Sequence, residues 1–80
     1  MIVKSNVTGK TYSSLNVVRI VNPKQAAAYM YHGALLVDVY SSYDPDKDSH
    51  VLVYLFNRED TRELYRKWCN HELGEKEKNE

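Results

Sequence analysis

Residues 35–56 read LLVDVYSSYDPDKDSHVLVYLF, two apolar, β-branched and aromatic runs on either side of a polar stretch. No other part of the chain is as dense in strand formers. The runs predict antiparallel strands over 35–41 and 50–56, a hairpin at the centre of a small sheet. Alternation divides each strand into two sets of side chains. Leu35, Val37, Val39, Val51, Val53 and Leu55 are expected to hold the helices, because the opposite choice would bring Asp38 into the core. Leu36, Tyr40, Leu52, Tyr54 and Phe56 then look away from the helices. That second set is too apolar for a wet face, so it is a candidate protein interface unless residues 1–14 cover it.

Between the strands, Ser41–His50 exceeds the usual hairpin loop, with a turn starting at Asp44-Pro45. Its Asp44-x-Asp46-x-Asp48 spacing resembles the first ligand positions of a calcium loop. Ser49 stands where that loop needs glycine, however, and Leu55 where it needs glutamate. The reading is a solvated acidic loop.

Upstream of the hairpin, LNVVRIV at 15–21 is a further strand, with Val18 and Ile20 on one face and Val17 and Arg19 on the other. The helix that follows, 23–32, has explicit punctuation: Asn22 caps, Pro23 fits N1, Gln25 can complete a capping box, and Gly33 ends it. Ala26, Tyr29, Met30 and Gly33 share its inward face. Downstream, a helix over 58–73 is capped by Asn57 or Asp60 and packs through Leu64, Trp68 and part of Tyr65. Trp68→Ala is the expected worst substitution in this helix. Residues 1–14 read as an arm or short edge strand, 15–73 as the folded domain, and 74–80 as a disordered polar tail beginning at Gly74.

Eighty residues with 42% hydrophobic content suffice for one modest core. No run approaches ~18 continuous apolar residues, so no membrane helix is expected. The start of the chain lacks the apolar region of a secretory signal. One cysteine, Cys69, predicts a reducing compartment, the cytoplasm by default. The zero net charge hides a basic first third and an acidic centre, and argues against bulk attraction to nucleic acid or membrane.

Chemistry-bearing patterns are sparse. Cys69, His71, His32 and His50 do not form a metal set at any ligand spacing. The glycines are isolated, and no acid–histidine constellation marks a catalytic centre. No cofactor, catalytic residue or specific metal is predicted, and the chain is expected not to be an enzyme. Lys4, Lys10, Arg19, Lys24, Arg62, Arg66 and Lys67 are candidate nucleic-acid contacts, with tyrosines available for stacking.

The order VVRIVNPKQAAAYMYHGALLVDVY at 17–40, then VLVYLFNREDTRELYRKWCNHEL at 51–73, resembles small uncharacterised proteins of bacterial and bacteriophage genomes. The resemblance lies in arrangement: a helix ending in Gly33, two strands, an acidic start at Glu59-Asp60, and a helix bearing Leu64 and Trp68. It implies an accessory protein of a phage or mobile element, including one that inhibits a host defence by binding, and brings no catalytic residues.

The expectation is therefore an α+β domain, two layers in β-α-β-β-α order, with both helices on one sheet face and strand order open. Its expected role is protein binding or self-association, as a homodimer for example, with weak nucleic-acid binding as the alternative.

Overall fold

Two helices and two antiparallel sheets make up the chain, an α+β arrangement. The structure, a computed structural model, describes residues 2–73. The tail predicted over 74–80, including Gly74, lies outside the described residues. β1 (Ile2–Lys4) and β2 (Thr11–Ser13) form a separate two-stranded sheet. β3 (Val17–Ile20), α1 (Pro23–Tyr31), β4 (Leu36–Asp44), β5 (Ser49–Asn57) and α2 (Arg58–Cys69) follow. The main sheet runs β3-β5-β4, so β5 is central and β3 and β4 are the edges. β3 and β4 are each antiparallel to β5, hence parallel to one another, and α1 is the crossover that joins them.

α1 begins and ends where its local chemistry dictates. The Asn22 side chain accepts from the N–H groups of Lys24 at 3.0 Å and Gln25 at 3.4 Å. Gln25 does not complete the capping box, because its amide donates to the Tyr29 hydroxyl at 2.8 Å. At the other end Gly33 adopts φ 99°, and the N–H groups of Gly33 and Ala34 close onto Met30 and Tyr29. Ala34 and Tyr29 are both buried in one cluster, the apolar contact that accompanies this type of helix stop. α2 stops by the same motif four residues earlier than the expected 73. His71 at φ 60° occupies the left-handed position and Glu72 N–H reaches Lys67 C=O at 2.8 Å. A side chain is strained there, so His71→Gly should raise stability by about 0.5–1 kcal/mol, measured by chemical denaturation.

The assignment of sheet faces is the main correction. Leu36 pairs with Phe56, yet Asp38 pairs with Leu55, so Val37 is an extra residue that shifts the phase of β4. Phe56, Tyr54, Ile20 and Val18 face the helices, packing with Ala26 and Tyr29 of α1 and Leu64 and Trp68 of α2. Phe56 and Tyr29 are fully buried, edge to face at 5.5 Å. Val53 and Leu55, expected under the helices, lie on the opposite face with Tyr40 and Val17, covered by Val3 and Tyr12 of the β1–β2 hairpin. Trp68 is only half-buried. The largest truncation cost therefore sits in the fully buried pair.

Asp38 is buried, contrary to the premise that assigned the faces. Oδ1 accepts from Ser5 Oγ at 3.3 Å and Val39 N–H at 2.7 Å, while Oδ2 accepts from the hydroxyls of Thr8 and Tyr12, each at 2.7 Å. The charge is thus solvated by donors from the N-terminal hairpin, which replaces the water it loses. Ser5 is itself ordered by donation from Val7 N–H and Thr8 N–H to its hydroxyl.

The expected ten-residue loop is mostly strand. β4 and β5 continue through Asp44 and Ser49, leaving a four-residue turn at 45–48. Lys47 N–H bonds to Asp44 C=O, Asp46 N–H bonds to the Asp44 carboxylate, and Asp48 takes φ 50°.

Candidate functional site

Strand length against helix length creates the first candidate surface. Nine-residue strands extend roughly 30 Å, whereas α1 and α2 cover only about 14 and 18 Å. The distal part of the β4–β5 ribbon therefore runs past the helical layer. On its helix side, cross-strand pairing places Val39 opposite Tyr54, Ser41 opposite Leu52, and Tyr43 opposite His50. Leu36, Leu52 and Tyr43 remain 40%, 51% and 51% exposed. Tyr43 is held by a hydrogen bond to Asp48 and an edge-to-face contact with His50. The Asp48 carboxylate raises the Tyr43 phenol above its ordinary pKa.

The expected interface set is thereby split. Leu36, Leu52 and Tyr54 share the helix-side face and keep exposed surface. Phe56 shares that face but is sealed in the core, and Tyr40 lies buried on the other side beneath the N-terminal hairpin. The phase shift at Val37 separates Tyr40 from Leu36.

The second candidate is a cleft of about 450 Å³ between β3 and α2. Val18, Ile20 and Tyr29 line it together with Arg19, Arg58, Thr61, Arg62 and Tyr65. The α2 contribution, 58, 61, 62 and 65, is one helical stripe by its i, i+3, i+4, i+7 spacing. Sequence reasoning assigned Arg19 and Arg62 to a basic surface but missed Arg58, whose position in this stripe was the available signal. Arg58 donates to the carbonyls of Ser14, Leu15 and Val17 at 2.9, 3.1 and 3.1 Å. It ties the start of α2 to the segment entering β3. Asn57 precedes the helix without a side-chain capping bond, and Asp60, the alternative cap, lies inside the first turn.

The remaining candidate bases do not gather there. Lys4 and Lys10 belong to the N-terminal hairpin segment, on the sheet face opposite α2, and Lys24 lies in the first turn of α1. Arg62, at the rim of the cleft, pairs with Glu59 at 3.0 Å, and Arg66 pairs with Glu63 on the exposed side of α2. Lys67 is also exposed. The Arg66 guanidinium beside Glu63 lowers that carboxyl's pKa. Such exposed pairs contribute little stability.

Cys69 is exposed, and among the described residues no group of three or more His, Cys, Asp and Glu side chains is placed to hold a metal ion. Among the described residues, no helix is long and apolar enough to cross a membrane. Comparison with protein-family models, curated proteins and solved structures finds no match.

Proposed function

We propose that this chain is a non-enzymatic protein-binding module, with self-association through the open helix-side face of the β4–β5 ribbon as its simplest form. The observation that supports this reading is Leu52 and Tyr43, half-exposed where the ribbon outruns the helices, with Leu36 partly exposed on the same face at the helix-proximal end of β4. Apolar side chains of this size gain roughly 1.5–3 kcal/mol each on full burial, which association would supply. The accessory role implied by the resemblance to small bacterial and phage proteins belongs to the same proposal.

Light scattering coupled to size exclusion, from about 1 to 100 μM, tests it over the range expected of a modest interface. The apparent mass should rise with concentration. Leu36→Asp combined with Leu52→Asp should hold the chain at one copy, because a desolvated unpaired carboxylate opposes the contact. Both positions are already exposed, so the far-ultraviolet circular dichroism should remain unchanged. One-copy mass for the unaltered chain at every concentration removes self-association.

A further inference from the structure

The cleft between β3 and α2 borders the helix-side core and is separate from the apolar ribbon face. We propose that it is a docking site for an extended acidic segment of another protein, added as a strand along the free edge of β3.

Three observations converge. The first is backbone polarity. Arg58 N–H donates to Asn16 C=O at 2.8 Å, which makes that pair a hydrogen-bonded one in the antiparallel ladder. By alternation, the N–H and C=O groups of Val17 and Arg19 then point away from β5. The Val17 carbonyl is taken by Arg58, whereas the Arg19 pair faces outward at the cleft. An extended chain can satisfy that pair by strand addition.

The second observation is charge. Arg19, Arg58 and Arg62 line the cleft and no carboxylate does. The Arg58 bonds all go to neutral carbonyls, so its charge is not cancelled by them. Arg19 makes no ion pair among the described residues, and the Arg62–Glu59 pair is a solvent-exposed one that a stronger acceptor can displace.

The third is shape. Partly exposed Val18 forms an apolar floor over buried Ile20 and Tyr29, and exposed Tyr65 continues the wall of α2. An added strand sends alternate side chains to opposite faces. One set would lie over Val18 and Ile20 beside Arg58 and Arg62, and the other beside Arg19. A lone phosphate fills little of this space, and a nucleic acid has no backbone to continue the ladder. The observations therefore favour an acidic peptide.

Fluorescence anisotropy with the full chain and a labelled peptide of alternating valine and glutamate tests the proposal. Saturable binding with Kd of about 1–100 μM is expected, weakened about tenfold or more by Arg62→Glu or Arg19→Glu. N-methylation of alternate peptide amides should weaken binding to a similar degree, and Arg19 N–H should gain protection from hydrogen exchange in the complex. Lysine in place of glutamate should abolish binding. Circular dichroism checks that each variant is folded. No binding at about 1 mM peptide overturns the proposal. So does equal affinity for the N-methylated peptide, or displacement by inorganic phosphate or oligothymidylate at concentrations comparable with the peptide. The Leu36→Asp, Leu52→Asp variant should bind the peptide normally, so this result stands or falls separately from self-association.

Discussion

Phe56→Ala should remove about 3–5 kcal/mol of stability at 25 °C, a large fraction of what a domain of this size has. Phe56 has no exposed surface, and its ring meets Tyr29 edge to face between both helices and the sheet. Truncating a buried phenylalanine costs about 3–5 kcal/mol through lost transfer energy and the cavity left behind. A domain of 80 residues has a total stability of only about 4–12 kcal/mol. Urea denaturation followed by Trp68 fluorescence measures the loss directly. Half-buried Trp68 should lose less on truncation to alanine, read by circular dichroism. A Phe56→Ala midpoint equal to that of the unaltered chain would contradict the packing described.

Asp38→Asn should lower the thermal midpoint by about 10 °C at neutral pH. The carboxylate accepts from Ser5, Thr8, Tyr12 and Val39 N–H. An amide supplies one acceptor oxygen and sets an NH₂ group against hydroxyl and N–H donors. The loss should appear as detachment of the N-terminal hairpin, with exchange protection falling first at Val3 and Tyr12.

The pH dependence fixes the sign of the effect. Hydrogen bonds from Tyr12 and Thr8, then Val39 N–H and Ser5, hold the Asp38 carboxyl below its ordinary pKa against the opposing effect of burial. The same contact raises the Tyr12 phenol. A depressed folded-state value stabilises fully above the unfolded carboxyl pKa of about 3.9, and that contribution disappears as pH falls through the lower folded value. The gap between the unaltered chain and Asp38→Asn should therefore narrow only in that acid range. A gap that is constant from neutral pH into this range would show that ionised Asp38 does not hold the hairpin.

Local signals and distant ones fared differently. Asn22, Pro23 and Gly33 mark α1 because a helix end is decided within a few residues. The β4–β5 hairpin was legible from its apolar runs, but its distal pairs were not. Ser41, Ser42, Ser49 and His50 extend the ladder where no layer covers it, so no hydrophobic alternation announces them. The face assignment failed at Asp38 for two linked reasons. Its donors come from residues 5–12, about 30 positions away, and the extra residue at Val37 has no distinctive sequence mark. For the candidate sites, Leu36 and Leu52 were visible as surplus apolar positions. The cleft was not, because it requires β3 and α2 to meet across the sheet edge.

The two sheet borders are guarded by side chains from other segments. Asn6 bonds both Ser41 N–H, at 3.2 Å, and Ser41 C=O, at 2.9 Å, imitating a neighbouring strand on β4. Arg58 occupies the Val17 carbonyl on β3. Synthesis from the N-terminus gives these guards opposite timing. Asn6 is made before Ser41, so β4 meets its guard as soon as it pairs. Val17 must wait some forty residues for Arg58. A nascent or truncated chain ending before 58 thus carries one protected border and one open to cross-chain pairing. In such a chain the β3 border is the aggregation hazard, and Arg58 narrows it by filling the Val17 carbonyl while the Arg19 pair stays open.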